Sequence, residues 1–367
     1  PNFAPESWKF PEGVLNWRQG EFDDWHGPYY GFRHVDLTLG HGEGPCNLGH
    51  YALWLKENHP EVIEAIKGEK HLPAPAMNNL WVSSVPMEVH NNNWLADRFI
   101  SYLEEERDMD KPFFAFIGFP DPHGPFTPSR DALDVFKDKD VLPPRDPEGQ
   151  GFRLTDSMDT LQFRRQVWGQ LTDEQKELPA RHTNAMVYQV DCAIGKIMDA
   201  LQKSGHWDDT IIVFTSDHGD FLGDHNLIQK DVVGNDSLSR VPFILHAPGI
   251  THAGQRVNMP MSNCDVMPTL AALAGIDAPS YLHGTDIIDA LENDRNTRAL
   301  CFCAAGAPDT VNYTVYDERY RLTWYPATDY LELFDHGNDP DESDNIAHRQ
   351  DQRERVESFR QEIRERL

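Results

Sequence analysis

The sequence predicts an α/β fold in which helices flank a mixed, mainly parallel central sheet, with a small antiparallel subdomain at the C-terminus. Three patterns predict it. The apolar run from Thr210 to Thr215 is too short for a typical helix and reads as a strand buried on both faces of a parallel sheet. Before it, Arg181 to Ser204 reads as a helix with Met186, Val187, Val190, Ile194, Ile197, Met198 and Leu201 on one face and Gly205 as its stop. That order is the helix-to-strand half of a parallel crossover. Beyond about Asp294, short alternating runs separated by turn residues read as antiparallel strands.

The central strand ends abruptly in Ser216-Asp217-His218-Gly219. Open α/β sheets place ligands and chemistry at this carboxyl edge. An adjacent carboxylate and imidazole make half of a divalent metal site, and glycine lets the chain turn away. The same residues are also good turn chemistry, so the pair alone leaves both readings open.

Earlier in the chain, short helices are expected from Tyr51 to Glu57 and from Pro60 to Lys67, and a longer one from Glu88 to Glu106. Phe113 to Phe119 then spells an apolar strand running into Pro120-Asp121-Pro122-His123-Gly124-Pro125. Prolines leave His123 little backbone freedom, which suits an imidazole that must be aimed, or a rigid loop whose histidine caps a carbonyl. Ser129 to Pro179 is polar and rich in Pro and Gly and reads as an insertion.

After the central strand, Arg240 to His246 reads as another strand. A short helix follows, with Asp265 or Asn263 as N-cap and Gly275 past its end. Asp265 is read as a cap rather than a metal ligand. Near the C-terminus, runs at 300–304, 313–316, 321–325 and 330–334 spell strands, and Asp351 to Leu367 a charged helix.

With a formal charge of -27 (33 basic against 60 acidic residues), nucleic acid and anionic membrane are disfavoured as main partners. The same field disfavours diffusive capture of any polyanion unless the pocket is locally basic. No apolar run approaches the roughly 20 residues of a membrane span. Pro1 to Trp8 shows neither the basic region nor the apolar core of a signal peptide. The five cysteines, Cys46, Cys192, Cys264, Cys301 and Cys303, form no paired CxxC set, and their odd number implies a free thiol.

Four stretches together resemble the type I sulfatases of the alkaline phosphatase superfamily. They are Ser216-Asp217-His218-Gly219, the Leu222-Gly-Asp-His225 loop leading to Lys230, the Asp121-Pro-His123 loop, and Leu333-Phe-Asp335 with Asp339-Pro-Asp-Glu342. The resemblance runs from Gly27 onward. It implies an alkaline-phosphatase-like sandwich over 1–293, incomplete at its N-terminus, and an antiparallel subdomain with a terminal helix over 294–367.

It further implies a sulfuric ester hydrolase in which Asp217 and His218 bind a divalent metal and His123 and Lys230 hold the sulfate and serve catalysis. Calcium is the metal implied, with manganese as the alternative, because His218 softens an otherwise oxygen-rich site. The nucleophile implied is a formylglycine. The substrate class implied is a sulfated small molecule or carbohydrate, and the resemblance allows a periplasmic or secreted location.

Two landmarks of that family are not found in residues 1–367. One is a strand ending in paired aspartates; Asp23-Asp24 has no apolar strand before it. The other is Cys/Ser-x-Pro-Ser-Arg, whose first residue matures to formylglycine; Phe126-Thr-Pro-Ser-Arg130 has Phe in that place. The expectation is therefore a C-terminal portion whose nucleophile lies on a segment not in this sequence, or a remnant without catalysis. Asp220, Asp224 and His225 are expected to serve structural hydrogen bonds. His26, His34, His41, His50 and His90 show no ligand spacing. Two further readings are a phosphomonoester or phosphonate ester hydrolase and a non-catalytic binding protein.

Overall fold

A computed structural model describes residues 10–154, 158–293, 298–307 and 309–367. The chain forms two compact units, the first comprising Pro1–Leu142 with Leu171–Trp207, the second Pro143–Gln170 with Asp208–Leu367. The domain boundary expected at residue 294 lies outside the described residues.

The first unit is helical. Its long helix, Leu178–Lys203, begins with Pro179 in the first turn, where a missing N–H costs nothing, and buries Met186, Val190, Ala193, Ile197 and Leu201 along one stripe. It ends in a left-handed glycine, Gly205 (φ 78°), with His206 N–H donating to Leu201 O at 2.9 Å. The expected short helices form as His50–Asn58 and Pro60–Ile66. The 88–106 pattern forms α-helix at Asn91–Ser101 and a π turn at Tyr102–Glu106. Tyr51, Leu55, Val62, Ile66, Val89 and Trp94 build one core of this unit.

In the second unit, β1 (Ile212–Thr215) pairs antiparallel with β2 (Phe243–His246). Four strands, β3 (Cys301–Ala305), β4 (Asn312–Tyr316), β5 (Tyr320–Tyr325) and β6 (Tyr330–Asp335), form an antiparallel meander in sequence order. Helix Arg353–Arg364 covers it with Val356, Phe359 and Ile363, spaced for one helical face. This subdomain has the antiparallel form and terminal helix read from the sequence.

The central sheet differs from expectation. Among the described residues, parallel pairing is confined to the isolated bridges Leu80–Phe126 and Ser83–Ser129, and β1 has β2 as its partner. Nor is β1 closed on both faces: Phe214 and, on β2, Ile244 are 36% and 63% exposed. Phe113 to Phe119 is not a strand, and Phe114 and Phe116 are exposed. An apolar spelling favours extended backbone, but a strand also needs a neighbour for its hydrogen bonds, and no described segment supplies one here.

Candidate active site

The carboxyl end of β1 is held by Asn263, which donates from Nδ2 to Ser216 O at 2.8 Å and accepts from Thr215 Oγ1 at 3.1 Å. Beyond it the chain turns tightly. Ser216 Oγ donates to His218 O at 3.0 Å, and His218 N–H donates to Asp217 Oδ1 at 2.9 Å. His218 Nδ1–H donates to Gly219 O at 2.8 Å. A proton fixed on Nδ1 leaves the Nε2 lone pair as the ring's acceptor. Lys230 Nζ lies against that nitrogen, and Asp217 Oδ2 is 3.3 Å from it.

Gly219 is required for a different reason than a sharp turn. Its φ is not left-handed, but a Cβ there would lie 2.0 Å from Ser237 O, and its N–H donates to Leu238 O at 2.7 Å. The glycine permits close approach of two backbones.

Lys230 reaches His218 because the intervening loop folds back on itself. Phe221 N–H donates to Gln229 O at 3.0 Å and Gly223 N–H to Leu227 O at 2.7 Å, over buried Phe221, Leu227 and Ile228. Asp224 accepts from Arg145 N–H and Ser237 Oγ, both at 2.7 Å, and buried His225 Nδ1 meets Asp146 Oδ2 at 2.9 Å. Asp220, whose carboxyl burial pushes up, accepts from Leu222 N–H at 3.0 Å. These three residues thus make structural bonds that shape the loop.

Asp217, His218 and Lys230 therefore meet, as the sequence suggested. Asp217 Oδ2 and His218 Nε2 are close enough to be ligands of one divalent ion, and a carboxylate with a neutral imidazole suits manganese or calcium. Among the described residues, no third His, Cys, Asp or Glu ligand atom joins this pair.

His123 belongs to the first unit. Its Nδ1 donates to Gly124 O, and its ring stacks on His41 at 3.7 Å between centroids, with 20° between planes. Buried Asp121 anchors the loop by accepting from Asn92 Nδ2 at 2.8 Å and Gln189 Nε2 at 3.3 Å. Burial pushes the Asp121 carboxyl up to about 7 and the nearby His90 imidazole down to about 4.

Sequence reading missed the His41 stack, because a lone histidine 82 positions from its partner carries no local signal. It also missed a cluster: His26 Nδ1 and His34 Nε2 lie 2.9 and 3.0 Å from the two oxygens of Asp36, which also accepts from Arg98 Nε at 2.8 Å. The two rings are nearly parallel at 9°. Hydrogen bonding to Asp36 accounts for the grouping.

Asp265 is fully committed to structure. It stands at the N-cap position of helix Val266–Leu273, one of the two positions read from the sequence, but makes no side-chain cap bond to that helix; the 3-10 turn Asn263–Asp265 before it is capped by Ser262. Asp265 closes the capping box by accepting from Ser262 N–H at 2.8 Å, and it also holds Thr285 N–H and the Arg298 guanidinium.

The fold is shared with solved hydrolases of ester anions: a phosphonate monoester hydrolase of Agrobacterium radiobacter superposes with a TM-score of 0.70 at 23% identity, covering 85% of this chain and 68% of that one. The sulfatase family model matches residues 45–276, and a model described as N-sulphoglucosamine sulphohydrolase, C-terminal, matches 223–367. The chain belongs to the type I sulfatase family.

An arylsulfatase of Clostridium perfringens is 28% identical over 77% of this chain and 59% of its own length. A choline-sulfatase of Rhizobium meliloti is 30% identical over 69% of this chain and 50% of its own. The chain thus spans between half and three-fifths of the length of these relatives. No described helix is long and apolar enough to cross a membrane.

Proposed function

We propose that the protein is a sulfuric ester hydrolase acting on a sulfated small molecule or carbohydrate, with its cation held in part by Asp217 and His218. The observation that carries this reading is the convergence of a carboxylate, a neutral imidazole and an ammonium at the end of β1. Bound there, calcium or manganese supplies charge for the sulfate's non-bridging oxygens.

The chain's own residues do the rest of the work assigned here. Lys230 carries three N–H donors, and a cation on His218 Nε2 would release the one that nitrogen takes in its absence. Freed donors serve sulfate oxygens and offset charge that grows as the ester bond breaks. His123 serves as a second sulfate contact or as the group that passes a proton to the leaving oxygen, roles in which the ring is protonated on both nitrogens, with Nδ1–H held by Gly124 O and Nε2–H donating. The nucleophile is proposed to be a formylglycine outside residues 1–367.

A tetrahedral phosphorus ester suits the same donors, and the fold shared with a phosphonate monoester hydrolase supports that second reading. Parallel assays of the native protein with 4-nitrophenyl sulfate, 4-nitrophenyl phosphate and a phenyl phosphonate monoester separate the two. Preferred sulfate release supports the proposal. Preferred turnover of either phosphorus ester overturns it.

A further inference from the structure

We infer that the buried Arg321–Glu342 pair is a positioning device that sets Lys230 against His218, acting through the backbone of residues 232–236. The inference rests on the reading of Lys230 and His218 given above.

Arg321 on β5 and Glu342 beyond β6 are almost wholly buried and paired through two hydrogen bonds, Nη2 to Oε2 being 2.8 Å. Arg321 Nη1 also donates to Gly234 O, which accepts from Thr323 Oγ1 at 2.9 Å as well. Gly234 N–H donates to Asn312 Oδ1 at 3.0 Å, and Asn312 Nδ2 donates to Val232 O at 2.8 Å. Glu342 Oε2 accepts from Asn235 Nδ2 and Asp236 N–H at 3.3 and 3.4 Å. Gly234 is the one residue type that fits, since a Cβ there would lie 1.7 Å from Thr314 Oγ1.

Both partners of the site contact hang from this segment. Lys230 precedes it by two residues. At its other end, Ser237 and Leu238 receive Gly219, the residue after His218, through the 2.7 Å bond to Leu238 O. A shift of the held backbone therefore moves Lys230 and His218 relative to each other.

The chemistry of the clamp suits position more than stability. Burying an ion pair gains little over well-packed apolar residues, whereas a planar guanidinium fixes a carboxylate and a carbonyl in set directions. In active sites a misplacement of about 1 Å costs on the order of 10²-fold in rate.

The test uses Thr323→Val and Asn312→Ala in the native protein, with Thr323→Ser as the conservative rescue and Lys230→Ala as reference. Selective imidazole 15N spectra of the metal-stripped protein read the contact of His218 Nε2 with Lys230 directly, and thermal unfolding confirms that each variant is folded. In the Thr323→Val and Asn312→Ala proteins the His218 resonance is expected to be displaced toward its position in Lys230→Ala, with kcat for 4-nitrophenyl sulfate down at least about tenfold. Thr323→Ser should restore both. A wild-type His218 resonance in both folded variants overturns the inference. If the resonance moves while Lys230→Ala leaves turnover unchanged, the clamp stands and the reading of Lys230 fails. Should Arg321→Lys also fold, it must behave as Asn312→Ala does, and a wild-type spectrum there counts against the clamp.

Discussion

Lys230 Nζ sits against Nε2 of His218, the same nitrogen that lies 3.3 Å from Asp217 Oδ2. The imidazole thus lies beside both the residue read as the sulfate's anchor and the residue read as its partner in holding the cation. On the proposed reading, oxyanion binding and metal binding would be coupled through this one imidazole.

Replacing Lys230 by Ala should lower kcat/KM for an aryl sulfate by about 10²- to 10³-fold, the usual cost of losing one preorganised donor to a developing anion. Lys230→Arg should recover part of that loss. Steady-state kinetics decide it, and wild-type constants for Lys230→Ala would remove Lys230 from the site.

Asp217→Ala should lose bound metal while keeping its melting temperature, because the side chain is 83% exposed and its hydrogen bonds are to its own turn. Asp265→Ala should do the reverse. It takes the carboxylate partner from the Arg298 guanidinium in a partly buried place, which should lower stability, and leaves metal content unchanged. Elemental analysis beside calorimetry checks both. Metal loss in Asp265→Ala would reassign that residue as a ligand.

Glu332 gives a pH prediction. Burial pushes its carboxyl up to about 8 although Arg321 pulls it down, while burial of Glu342 is outweighed by Arg321 and His336, which hold that carboxyl at about 2. The folded state therefore keeps a proton on Glu332 that the unfolded chain releases above about 4.3. That contribution to stability is full below the unfolded value and declines as pH rises toward 8. Glu332→Gln removes the titration, so its melting temperature should gain on wild type by several degrees between about pH 5 and pH 8. Parallel melting curves across that range would contradict the assignment.

What could be read in the sequence was whatever is written locally. The 3.6-residue stripe of Leu178–Lys203, the four alternating runs of β3 to β6, and the Asp217-His218 edge are each spelled within one stretch. Lys230 was legible only because a family motif places it; no spacing rule shows that the loop from Phe221 to Gln229 folds back. The partner of β1, the His41–His123 stack and the Arg321 grip on Gly234, 87 positions away, depend on tertiary approach and leave no local pattern. Phe113 to Phe119 shows the converse, a strand spelling without a described neighbour to pair with.

The most direct measurement is the position of the cation. Crystals of the native protein grown with manganese should give an anomalous peak in contact with both Asp217 Oδ2 and His218 Nε2, with Lys230 Nζ moved off that nitrogen toward a bound sulfate. A peak elsewhere in the protein, with Lys230 still resting on His218 in saturating metal, would contradict the account.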